Sequence, residues 1–124
     1  MAPTCYQFLN ATRGTPLATQ ARVAEDFFSR LRGLLFTEPL QPGEGLYLKP
    51  CSQIHMFGMG YALDAVFIDR EGKVVGVVES LRPGQVSSAF LKADGCLELP
   101  VGTISGTGTR VGDRIAYSQV KMGE

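Results

Sequence analysis

His55 is the one histidine in the chain, and it stands close to two other groups with chemical potential: Cys51 before it and Asp64 after it. Imidazole exchanges a proton near physiological pH, so His55 is suited to relaying a proton or to offering a neutral nitrogen to a metal. A carboxylate in contact with it would orient the ring or hold a cation, and a second carboxylate would complete an acid/base pair. Asp64, in "YALDAVF", and Glu98, in "CLELP", are the carboxylates nearest to that requirement by context, because each is set among apolar neighbours. Together these three describe a general acid/base hydrolase, with a divalent metal as an optional assistant. Arg30, Cys51 and Met59 complete the candidate pocket.

Each of these residues also has an ordinary structural role. A rim histidine needs only a hydrogen bond or a packing partner. A buried Asp64 must accept hydrogen bonds, meet a cation or become protonated, and backbone amides at a strand entry satisfy it without any reaction. Strand alternation gives Glu98 a polar face, and Asp113 in "RVGDRI" suits turn hydrogen bonds or pairing with Arg110 or Arg114. Cys51 and His55 form a C-x3-H spacing, but a closed zinc site takes four ligands and paired cysteines are missing, so no metal is assigned. Cys51, Met56 and Met59 read as core fillers, and Arg30 and Arg32 as solvated residues. The glycines of "GTISGTGTRVG" lack the lysine and the hydroxyl residue of a phosphate loop and read as turns, so no cofactor is assigned either.

The elements that must position these groups are mostly strands. "CYQFLN" and "PLATQARVA" flank a turn with Gly14 and Pro16 and predict an opening hairpin. In "EDFFSRLRGLLF" the period changes: Phe27, Leu31 and Leu34 recur at helical spacing, Asp26 suits the start and Pro39 discourages continuation, which predicts a helix over about residues 26–35 with Gly33 as its weak point. "LYLK" opens a β-rich region. An extended run over 51–59 would turn Cys51, Gln53, His55, Phe57 and Met59 to one side and Ser52, Ile54 and Met56 to the other. "DAVFID" and "VVGVVES" around "REGK" carry the clearest hairpin signal, with Gly72 in the positive-φ position and at least one strand buried on both sides. "CLELPVG" predicts a small strand, and residues 114–120 a closing one.

Six or more short strands and one helix predict a single α+β domain over residues 1–124. It is β-dominated, with a mixed or antiparallel sheet, strongly curled or partly closed as a barrel. Repeated crossover helices are missing, which argues against a doubly wound parallel sheet.

Composition narrows the partners. Of 124 residues, 44% are hydrophobic, enough for one core without a staple. Twelve basic and twelve acidic residues cancel with no long run of either sign, so a broad attraction to nucleic acid or anionic lipid has no electrostatic source and nucleic acid is not an expected partner, although the balance leaves room for local basic patches. Three widely separated cysteines suit thiols in a reducing compartment. "MAPTCYQFLNATRG" shows no basic leader or long apolar run, and no segment approaches the ~20 apolar residues of a membrane span. The expected location is the cytoplasm.

Taken in order, "RLRGLLF", "GEGLYLKPCSQIHMFGMGYALDAVFIDREGKVV", "CLELPVG" and "GTRVGDRI" resemble the family catalogued as domain of unknown function 192, over about residues 18–118. The resemblance implies a compact β-rich domain with a helix near "RLRGLL". Its characteristic positions fall on Arg30, Gly33, Cys51, His55, Met59, Asp64, Glu98, Gly112 and Asp113. "MGYALD" departs from the pattern: Gly60 stands where a basic residue is usual and Ala62 where proline is usual, which removes a cation from any anion-binding reading. Family members with an export leader resemble envelope or secreted proteins, and this sequence starts without one.

The functional expectation is a small soluble binding or accessory domain, with a polar pocket or partner groove near His55 that takes a small molecule or a protein. The acid/base hydrolase is the first alternative. A structural or oligomeric protein, with an edge strand as its interface, is the second.

Overall fold

The computed structural model describes residues 5–25 and 38–120. The helix expected over 26–35, with Arg30 and Gly33, lies outside the described residues. Among the described residues seven strands run in chain order: β1 (Cys5–Asn10), β2 (Thr15–Ala24), β3 (Glu44–Leu48), β4 (Leu63–Ile68), β5 (Val74–Leu81), β6 (Gly95–Leu99) and β7 (Ile115–Val120); the short helix α1 (Thr103–Thr107) separates the last two. They form one sheet in the order β5-β4-β6-β3-β2-β1-β7. The β2–β3 pair is parallel and the others are antiparallel, so the sheet is mixed.

Both expected hairpins are present. β1 and β2 join through a turn with Gly14 at φ 72, and β4 and β5 through one with Gly72 at φ 87. All six residues of β4 and all five of β6 are buried. Alternation along β4 explains this, since Val66 and Ile68 enter one apolar cluster with Phe8, Tyr47 and Leu97, while Ala65 and Phe67 enter another with Leu46, Met56 and Cys96. A core therefore lies on each side of the central strands. The polar face expected for Glu98 does not exist, because β6 sits between β3 and β4 with both faces covered, and Glu98 is 0% exposed.

The sheet is not closed into a barrel, which corrects the barrel expectation. Its edges, β5 and β7, meet only at one corner, through the Lys73–Arg114 bridge and hydrogen bonds from Val74 N–H to Asp113 O (2.8 Å), Gly112 N–H to Val74 O (2.9 Å) and Ile115 N–H to Gly72 O (2.7 Å). The contact is antiparallel. β7 therefore leaves it toward the β4–β5 turn while β5 leaves in the opposite direction, and the edges diverge.

"GTISGTG" forms α1 where only turns were expected. Nothing in its apolar spacing announces a helix; Gly102 and Gly108, both at positive φ, bound it, and a carboxylate from β4 holds its first amides.

Candidate functional site

The segment 51–59 is not a sheet strand. It zips against residues 84–90 as a two-segment ribbon over the second apolar cluster. Phe90 N–H donates to Ser52 O (2.7 Å), Ser87 N–H to Ile54 O (2.9 Å), Met56 N–H to Gln85 O (2.8 Å) and Gly84 N–H to Met56 O (2.9 Å). The Ser87 hydroxyl accepts from Ile54 N–H at 3.0 Å, and the Gln53 amide donates to Ser87 O at 2.9 Å.

Extended geometry at the ribbon's centre sorts its side chains. Ile54 and Met56 point into the cluster, and Gln53, His55 and Phe57 point outward. At the ends the alternation expected for 51–59 fails: Cys51 and Met59 turn inward with the core, so they do not share a side with His55. The Cys51 thiol faces its own loop, 3.3 Å from Gln53 O. The C-x3-H spacing thus places its two members on opposite sides of the ribbon.

His55 pairs across the ribbon with Val86, and its ring stacks on Phe57 with centroids 5.0 Å apart and planes at 29°. Phe57 is 58% exposed and Val86 49%. An imidazole, a phenyl ring and an isopropyl group are thereby held at the surface by a backbone they cannot easily leave. Val86 was not a sequence candidate. "LRPGQVSS" reads as a turn, and only its pairing with His55 reveals the strand-like stretch inside it.

The acids lie elsewhere. Asp64 is 0% exposed and accepts three backbone hydrogen bonds, from Ser80 N–H (2.9 Å), Gly102 N–H (3.1 Å) and Ile104 N–H (3.0 Å). It ties β4 to the end of β5 and to the start of α1, and no hydrogen bond joins it to His55. Alternation separates it from Glu98 as well. Asp64 lies opposite Leu99 and Ala65 opposite Glu98, so the two carboxylates project from opposite faces of the sheet.

Asp113 is the second buried carboxylate node. It accepts from the Asn10 amide (3.0 Å), Arg13 Nε (3.0 Å), Arg13 Nη2 (3.2 Å) and Arg110 N–H (3.1 Å). Burial acts to raise its pKa, but the bonds from Arg13, Asn10 and the Arg110 amide, with the Arg13 charge, outweigh that and hold it below the usual carboxylate range. The expected side-chain pairing with Arg110 or Arg114 is met instead by Arg13, from the β1–β2 turn.

Two surface clefts accompany these features. One, of about 310 Å³, is lined by residues including Cys5, Gln20, Arg22 and Glu44. The other, of about 400 Å³, includes Arg70, Leu91, Lys92 and Asp94, with Asp94 3.7 Å from Lys49 and 3.8 Å from Arg70. Neither includes His55, Asp64 or Glu98. Among the described residues no three of His, Cys, Asp and Glu gather as a metal site, and no helix is long and apolar enough to cross a membrane.

Comparison with known proteins places this arrangement in context. The family model DUF192, described as an uncharacterized ACR, matches residues 8–117. A UPF0127 protein of Thermococcus sibiricus is 30% identical over 114 residues, covering 88% of this chain and 73% of that protein. One from Pyrococcus furiosus is 26% identical over 117 residues, covering 90% and 98%. Among solved structures, a "putative transcription regulator" from Sinorhizobium meliloti superposes with a TM-score of 0.78 at 23% identity, over 94% of each chain. A protein of unknown function from Novosphingobium aromaticivorans gives 0.76 at 18% identity, over 90% of this chain and 83% of that one. These two likenesses show the fold. Because a protein described as a transcription regulator shares this fold, the expectation that set nucleic acid aside is withdrawn; that description belongs to the Sinorhizobium protein. Zero net charge removes a pull of the whole molecule toward a polyanion, but local contacts do not depend on net charge.

Proposed function

The chain belongs to the DUF192 family, and from that premise we propose that it works as a small binding domain whose protein partner docks on the ribbon around His55. The observation that carries this reading is the surface trio of His55, Phe57 and Val86, with Phe57 58% exposed on a backbone zipped to residues 84–90. Exposed aromatic and aliphatic groups on a rigid backbone lose little conformational entropy on docking, which is the property of an interface anchor. The outer side chains of the ribbon project to the surface, and neither of the two clefts described above includes them, which supports a partner surface over a small-molecule pocket. The acids contribute by fixing the frame. We place the protein in a reducing compartment such as the cytoplasm; its three buried thiols support this.

The test is site-specific photocrosslinking in cells, with benzoylphenylalanine at position 57 and, as control, at Val111, which is equally exposed at 58%. A discrete protein adduct from position 57 is expected, reduced about tenfold by Val86→Asp, a loss near ~1.4 kcal/mol of binding. No adduct, or the same adduct from position 111, would sink the proposal.

A further inference from the structure

The two edges of the sheet are treated differently. β5 is guarded. Its first residue is already bonded on the outer side by Asp113 and Gly112, its register with β4 shifts at two places, and Ser80 near its end has φ 51. Kinks, bulges and covering segments of this kind stop an edge from recruiting another strand.

β7 has none of these devices along its last four residues. Its register with β1 runs through six consecutive pairs, from Cys5↔Val120 to Asn10↔Ile115, without a shift. Its sequence, IAYSQV, contains no carboxylate, amine, guanidinium or proline, and residues 116–119 are all exposed. Among the described residues no strand lies on its outer side.

The direction of its free backbone groups follows from one bond. Ile115 N–H donates to Gly72 O, away from β1, and strand periodicity makes Tyr117 and Gln119 present their amides and carbonyls to that same outer side. The β4–β5 turn occupies the outer side at Ile115 and leaves it open from Tyr117 onward.

We propose that β7 is a self-pairing edge, on which a second copy of this chain adds its own β7 antiparallel to form one continuous sheet across a two-fold axis. With the axis normal to the sheet at Ser118, Tyr117 of each copy lies opposite Gln119 of the other, and each pair exchanges two N–H···O=C bonds. No like charges oppose one another anywhere along Ile115–Val120, so the strand is electrostatically compatible with itself. The Tyr117 ring, stacked on Phe8 at 4.7 Å and 47% exposed, gains cover from the facing Gln119 side chain. The seam is short, so the dimer forms and dissociates with concentration. It is separate from the His55 ribbon, and either reading can fail without the other.

The experiment is sedimentation equilibrium over a rising concentration series, with amide exchange of Tyr117 and Gln119 followed in parallel. A dimer is expected whose formation slows exchange at those two amides. Gln119→Pro removes an outward donor and leaves the bonds to β1 in place, because proline is tolerated where a strand N–H faces solvent. It should weaken association at least about tenfold. Gln119→Lys, which sets two like charges beside the axis, should do the same while leaving the thermal midpoint of the monomer unchanged. A monomer at every concentration overturns the proposal, as does a dimer indifferent to both variants. Protection of Tyr117 and Gln119 by an added extended peptide in a chain that stays monomeric would also overturn it, by making the edge a peptide site.

Discussion

Asp64 and Asp113 show how a buried carboxylate becomes a structural tie. Each is almost completely withdrawn from water, and each is surrounded by donors that satisfy its oxygens. For Asp64 the requirement was legible in "YALDAVF": an acid among apolar residues must find hydrogen bonds. That its donors would be amides of residues 80, 102 and 104 was not, because two of them belong to α1 and its cap, which sequence periodicity does not announce. For Asp113 the partners Asn10 and Arg13 lie about a hundred positions away in the chain. The lowered pKa of Asp113 sets a direction for acid stability. In the unfolded chain the group titrates at its ordinary value of 3.8, and in the fold below it. Its ionised form therefore contributes fully above that ordinary value, and the contribution is lost as pH falls through the lower folded value. Urea midpoints from pH 7 down to pH 2 should show this acid loss in the wild type and a flatter profile in Asp113→Asn; equal slopes would assign the acid loss to other groups.

Among the elements, hairpins were the most legible, because turn chemistry is local. Gly72 illustrates why. It has φ 87, which glycine adopts without strain, and a Cβ there would lie 2.6 Å from the Ile115 carbonyl oxygen. The first requirement is visible in "REGK"; the second arises only because β7 begins against this turn. Gly72→Ala should destabilise the fold by at least ~1 kcal/mol and increase amide exchange at Ile115, the donor to Gly72 O. A stability unchanged within error, or protection retained at Ile115, would show that the corner does not depend on this glycine. The ribbon over 52–57 was half legible. Its central alternation follows from extended backbone, but the inward turns of Cys51 and Met59 depend on the apolar cluster beneath them. β6 was misread for a related reason: alternating Leu97 and Leu99 with Glu98 imitates a half-exposed strand, while its position between β3 and β4 buries both faces.

At the scale of the molecule, cores on both sides of β4 separate residues of the same type into different roles. Phe67 is 0% exposed between neighbouring strands, whereas Phe57 is 58% exposed on the ribbon. Phe67→Ala should cost about 3–5 kcal/mol by leaving a cavity, and Phe57→Ala within about 0.5 kcal/mol, measured as denaturant midpoints at constant slope. Similar losses at the two positions would mean that the ribbon is part of the stability core and not a docking surface. The amino-acid order alone determined the β-dominated class, both hairpins and the resemblance to DUF192, because these follow from local periodicity, turn residues and motif order. Tertiary structure alone decided that the sheet stays open, that His55 faces solvent beside Phe57 and Val86, and that Asp64 and Glu98 occupy opposite faces. Strand order and register set those outcomes, and they are made by pairings between residues far apart in the chain, where a shift of one position exchanges inside for outside.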